Sequence, residues 1–158
     1  MKRVFVIFTF LLLAYSSFAL EFRNTSWLMT GEEVIASEAG RVVSDLSLPG
    51  QQQIVFQTLV NGFPATITYI LENDKLLSAS CTFKRDLDRR AFESMKQDLT
   101  VKNGKPAFEQ ENLVGWRLER TEIALAHLPD GTSYAAYWEK AYFARINNLP
   151  GTGGTAKF

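Results

Sequence analysis

Leu76-Leu77-Ser78-Ala79-Ser80-Cys81-Thr82-Phe83-Lys84 alternates almost residue by residue. Leu77, Ala79, Cys81 and Phe83 fall on one side of an extended chain. Leu76, Ser78, Ser80, Thr82 and Lys84 fall on the other. A period of two marks a strand whose sheet has one face buried and one face wet. Three more strand-like runs lead into it, at 42–48, 54–60 and 65–71. They are separated by Pro49-Gly50, Asn61-Gly62 and Asn73-Asp74, which are turn and hairpin signals. Ahead of them a helix is predicted over 31–39. Thr30 and Glu33 have the spacing of a capping box, Met29 and Val34 that of a hydrophobic staple, and Gly40 provides the exit.

The same order follows downstream. A second helix opens at Asp86 or Asp88, and Leu87, Ala91, Met95 and Leu99, with Phe92 beside them, recur at helical spacing. Gly104 ends it and Pro106 prevents its resumption. Strands are predicted at 107–111, 114–119, 122–128 and from 133 to about 143, with Asp130-Gly131 as the last turn. The two halves also match locally. Ala39-Gly40-Arg41 parallels Asn103-Gly104-Lys105, and Leu71-Glu72-Asn73-Asp74 parallels Leu128-Pro129-Asp130-Gly131, which sets Cys81 opposite Trp138. The expected fold is α+β: a tandem repeat of a helix plus four antiparallel strands, forming one curved sheet with both helices packed on one face. Its halves span about 27–85 and 86–146 of a single domain at 20–146, followed by a flexible tail at 147–158 rich in Pro, Gly and Thr.

The first 19 residues read as an export signal. Lys2 and Arg3 precede an apolar run of about ten residues, and Ser17-Phe18-Ala19 supplies a small-residue cleavage site. A spanning helix needs roughly 20 apolar residues. The expectation is an exported protein without stable membrane insertion, periplasmic in a bacterium and secreted otherwise. Cleavage leaves 15 basic against 17 acidic residues, a balance that argues against nucleic acid as partner. Asn24-Thr25-Ser26 has the N-glycosylation pattern, which matters only in a eukaryotic source.

Catalytic chemistry has little to build on. His127 is the only histidine and ends the apolar run Ile123-Ala124-Leu125-Ala126, where it reads as a sheet residue near a turn. Cys81 is the only cysteine, on the apolar side of its strand, so it makes no internal disulfide and reads as a quiet buried thiol. One His and one Cys do not make a typical zinc site. Glu109-Gln110-Glu111 reads as a wet edge, and Gly151-Thr152-Gly153-Gly154 has neither the flanking elements nor the lysine of a phosphate loop. No catalytic residue, metal or cofactor is therefore expected.

Two segments carry a family resemblance. Trp27-Leu28-Met29-Thr30, with Glu33-Val34 and Gly40, resembles the start of small bacterial envelope modules related to BamE of the outer-membrane assembly machine. Asn103-Gly104-Lys105-Pro106 resembles the Gly-x-Pro that closes the helix in such modules. The doubled helix-plus-four-strands unit over roughly 27–143 is similar to the β-lactamase inhibitor protein family, which binds enzymes with a concave sheet face. No cysteine stands directly after the leader, so the lipid anchor of the assembly proteins has no attachment atom, and no functional residue is carried over.

The expected function is non-catalytic binding of another protein through the open sheet face. Tyr137 is placed there with Ala135, Glu139 and Ala141, and the partner-binding residues are Tyr137, Glu139, Ser80 and Thr82. The alternative is a carrier that holds a small apolar ligand in a cup between sheet and helices. The polar Ser78, Ser80 and Thr82 favour the first reading, since a carrier needs an apolar lining.

Overall fold

The computed structural model describes residues 21–148. In chain order the elements are α1 (Gly31–Ser37), β1 (Arg41–Leu48), β2 (Gln51–Val60), β3 (Phe63–Glu72), β4 (Lys75–Phe83), α2 (Arg90–Asn103), β5 (Phe108–Gln110), β6 (Leu113–Arg117), β7 (Thr121–His127), β8 (Ser133–Glu139) and α3 (Lys140–Asn147). The class is α+β. All eight strands form one antiparallel sheet in the order β1-β2-β3-β4-β8-β7-β6-β5. Two four-strand meanders thus meet through their last strands, with Cys81 paired to Ala135 and Ser80 to Ala136. The hairpins at Asn61-Gly62 and Asn73-Asp74 hold both turn residues at positive φ, the geometry that matches the twist of the flanking strands.

One face of the sheet carries the core. Ile54 and Phe56 of β2, Ile67, Tyr69 and Leu71 of β3, and Ala79, Cys81 and Phe83 of β4 point into it. Val114, Trp116, Ile123, Leu125, Ala135 and Tyr137 continue the layer across the second meander. Val34 of α1 and Ala91, Phe92, Met95 and Leu99 of α2 cover it. Between the helices runs the segment 21–30, where Phe22 and Trp27 are buried and the Trp27 Nε1–H donates to Thr121 Oγ1 at 2.9 Å.

The alternation in β4 holds from Ala79 to Phe83 but slips before it. Ile70 pairs with Ser78 while Leu71 pairs with Leu76, so Leu77 is an extra, bulged residue. A bulge shifts side-chain phase by one. Leu76 is consequently the buried leucine and Leu77 the half-buried one, the reverse of the expected assignment.

Both helix starts follow local chemistry. Thr30 Oγ1 accepts from the Glu33 N–H at 3.3 Å and the Glu33 carboxylate accepts from the Thr30 N–H at 2.8 Å, completing the capping box. Thr30→Ala is expected to lower stability by about 1 kcal/mol, seen as a lower melting temperature; an unchanged melt would contradict the cap. Helix α2 begins later than predicted, at Arg90, because Asp86 reaches forward from a preceding turn. Its carboxylate accepts from the Ala91 and Phe92 N–H groups, both at 2.9 Å. Leu87 therefore precedes the helix and is exposed, not part of its buried face.

Three further expectations change. The last predicted strand is interrupted: Glu139 ends β8 and its carboxylate accepts from the Tyr142 N–H at 2.7 Å, starting α3. Glutamate is outside the usual N-cap set, and the aromatic and branched residues after it read as strand. Helix α3 leans on the other side of the sheet, with the Phe143 ring 5.3 Å from that of Trp138, so only α1 and α2 share the core face. The proposed match of Cys81 with Trp138 also fails, since the two lie on opposite faces. Asn73-Asp74 is a two-residue turn, whereas β7 and β8 are joined by residues 128–132. The expected leader and the tail beyond Asn148 lie outside the described residues.

Candidate functional site

The open face is built around a rank of small side chains that crosses the sheet. Ser44, Val55, Thr68, Ser80, Ala136, Ala124 and Gly115 stand side by side in register from β1 to β6. From Val55 on β2 to Gly115 on β6 each alternates with a core residue on its own strand, so the rank faces away from α1 and α2; β1, which carries Ser44, is exposed along its whole length. Two residues to either side of Ala136 are Tyr134 and Trp138, both half-buried. Tyr134 pairs with Thr82 and Ala126, and Trp138 with Ser78 and Glu122. The result is a floor of small residues between two aromatic walls. The Phe108 ring closes one end, lying so near Gly115 that an added Cβ would sit 1.9 Å from it. At the Trp138 end, Arg117 and Glu122 face each other at 3.7 Å. Burial pushes the Glu122 carboxyl up, against the opposing pull of Arg117 and Lys140.

Ser80 and Thr82 occupy the open face as expected. Tyr137 and Glu139 do not. Tyr137 pairs with Ala79 and points into the core, its ring 4.6 Å from that of Phe22 and only 5% exposed. Burial pushes its phenol far above the usual range. Glu139 pairs with buried Thr121 and caps α3. The error is one of phase: Tyr134, Ala136 and Trp138 form one alternating set and Ala135 and Tyr137 the other. Both contain aromatics and alanines, so alternation alone does not say which faces the core. The aromatics that sequence reasoning missed are therefore Tyr134 and Trp138.

The core side holds a cavity of about 230 Å³. Phe22, Val60, Cys81, Met95, Leu99 and Tyr137 make its apolar wall, and Glu21, Arg23, Asn61, Asp98, Lys102 and Asn103 its polar side. Asn103 Nδ2 is buried without a hydrogen-bond partner. Burial pushes the Cys81 thiol up to about 12, with the Arg23 guanidinium opposing it, so the thiol is protonated at neutral pH.

His127, Ser133 and Asp86 do come together, but in an order unlike that of a nucleophile. The buried Ser133 hydroxyl donates to Asp86 Oδ2 at 2.6 Å. Its one proton is committed there, so the His127 Nδ1–H, 2.7 Å away, is the donor to Ser133 Oγ. Burial works against the Asp86 carboxylate, but Ser133 and the Ala91 and Phe92 N–H groups outweigh it and hold the carboxyl below its usual range. The cluster ties the start of α2 to the β7–β8 turn. Among the described residues no three His, Cys, Asp or Glu side chains stand where they could hold a metal ion, and no helix is long and apolar enough to cross a membrane.

Comparison with known proteins returns no matching family model, no similar curated protein and no similar solved structure.

Proposed function

We propose that this is an exported, non-catalytic protein that binds another protein through the open sheet face, in the manner of the inhibitor and envelope-assembly modules it resembles. The observation that supports this most is the small-residue floor flanked by Trp138 and Tyr134. Ser80, Thr68 and Val55 leave the middle of the floor partly open, while Ala136, Ala124 and Gly115 are buried, and two large rings with polar edges offer much contact area for little lost freedom. Aromatic anchors surrounded by near-neutral polar contacts are the usual anatomy of a hot spot. Ser80, Thr82 and Thr68 supply the polar contacts, with Glu122 and Arg117 at the rim.

The parent chain, immobilised, is expected to retain a protein from the exporting compartment. Trp138→Ala should weaken that complex about thirtyfold, the loss of one central aromatic anchor. Ser80→Arg, which raises a long charged side chain from the floor, should abolish it with little change in melting temperature. Titration of the recovered partner against the three proteins decides the matter. Parent-like binding by both variants would rule out this face.

A further inference from the structure

We propose that the outer edge of β1 pairs with β1 of a second copy of this chain, antiparallel and about a twofold axis at Leu46, so that two sheets join into one. The proposal is independent of the protein-binding reading of the open face: it concerns the rim of the sheet and a different partner.

The edge is built for a further strand. Among the described residues β1 pairs with β2 alone, and all eight of its residues, Arg41–Leu48, are exposed. An edge strand presents a row of N–H and C=O groups that another strand can take up, and natural edges are commonly blunted by lysine, proline or shortness. β1 has neither lysine nor proline, and it exposes Val42, Val43, Leu46 and Leu48, the two leucines to 52% and 56%. The opposite edge, β5, is three residues long, and Glu109 on it is held by Lys96 at 2.5 Å. A β1–β5 union would therefore be short, and its head-to-tail sense would run on into a filament. A β1–β1 union uses the same surface twice and closes at two copies.

The strand itself sets the register. A bulge between Val42 and Ser44 distorts the first part of the edge and leaves Ser44–Leu48 as the regular stretch. The middle of that stretch is Leu46. Pairing about it sets Leu46 against Leu46 of the second copy, Ser44 against Leu48 and Asp45 against Ser47. Ser44, Leu46 and Leu48 stand beside Val55, Gln53 and Gln51 of β2 on the open-face side, so the four leucines gather in one strip across the seam. Asp45 meets a hydroxyl, and Arg41 lies outside the paired stretch, so no like charges are opposed. Moving the axis one residue back would set Asp45 against Asp45, and one residue on would shorten the pairing to Leu46–Leu48.

The test is sedimentation of the full mature chain over a wide concentration range, with variants at exposed positions. The parent is expected to show a monomer–dimer equilibrium and no larger species. Leu46→Lys and Leu46→Glu, which oppose like charges at the axis, should each dimerise about tenfold more weakly than the parent. Mixed together, the two should bind each other about tenfold more tightly than either binds itself. Mild oxidation should link Ser44→Cys to Leu48→Cys in a mixture, while neither links to itself; the native Cys81 is buried and stays out of the reaction. If a charged variant does not fold, the pair of cysteine variants decides the same point. Trp138→Ala should dimerise like the parent, which keeps this outcome separate from that of the open face. A chain that stays monomeric throughout, dimers indifferent to Leu46→Lys, no gain on mixing, cysteine links in another pairing, growth past the dimer, or dimerisation lost in Trp138→Ala would each overturn the proposal.

Discussion

Arg23→Ala is expected to destabilise the fold by about 3 kcal/mol, the lower end of the loss seen when a buried charge is left without its partner, because the Arg23 side chain is itself a quarter exposed. The Glu38 side chain is fully buried. Its carboxylate accepts from Arg23 Nε at 2.9 Å and from an Arg23 terminal nitrogen at 3.2 Å, and from the buried Tyr69 hydroxyl. Glu38 ends α1, Arg23 belongs to the segment between the helices, and Tyr69 stands on β3, so one carboxylate joins three parts of the core. Without the guanidinium it would remain buried with the tyrosine as its side-chain donor. Chemical denaturation of the parent, Arg23→Ala and the double variant Arg23→Ala/Glu38→Gln separates charge from packing. The double variant should recover a large part of the loss, because a neutral amide leaves no unpaired charge. A single-variant loss below about 1 kcal/mol would mean that water already serves the carboxylate.

Tyr137→Ala is expected to cost a similar amount, about 3–5 kcal/mol, as for other large aromatic truncations in cores. The ring packs on Phe22, stands against Ala79 across the strand pair and forms part of the cavity wall. Removing it would enlarge an existing void, and neighbours that already fail to fill 230 Å³ are poorly placed to collapse into more. Total stability of a small domain is only about 5–15 kcal/mol, so this change removes a large fraction of it. The melting temperature should fall by well over ten degrees. A variant that melts like the parent would show that the phase of β8 is inverted and that Tyr137, not Trp138, belongs to the open face.

Local signals were sufficient wherever the decisive interaction was local. The Asn61-Gly62 and Asn73-Asp74 turns, the Thr30–Glu33 capping box and the glycine exit at Gly104 each involve groups within a few residues of one another, and all are where the chain suggested. The alternation through Ala79, Cys81 and Phe83 likewise announced a half-buried strand. Helix α3 escaped because its cap, Glu139, follows a strand whose aromatic residues continue past the boundary without a break in hydrophobicity. Asp86 was recognised as a helix opener, but its reach to Ala91 and Phe92 depends on a turn held by Gly131 and Ser133, some 45 residues away in sequence.

Short-range signals were enough for the α+β class, the order of the first ten elements and the half-buried character of β4, because propensity, turn chemistry and periodicity are properties of short stretches. Over β6–β8 the second face is largely covered, with Gly115, Ala124, Ala126 and Ala136 buried and α3 against Trp138. Which residues occupy that face was decided only by tertiary structure. Antiparallel pairing of β4 with β8 sets Ala79 against Tyr137 and Ser78 against Trp138. The bulge at Leu77 reverses the two leucines beside it. In a strand a shift of one residue exchanges the two faces. Tyr134-Ala135-Ala136-Tyr137-Trp138 is nearly as apolar in either phase, so its orientation depends on partners far away in the chain. The cavity is likewise beyond any local reading, since Phe22, Val60, Cys81, Leu99 and Tyr137 meet only when the sheet, α2 and the segment before α1 pack together.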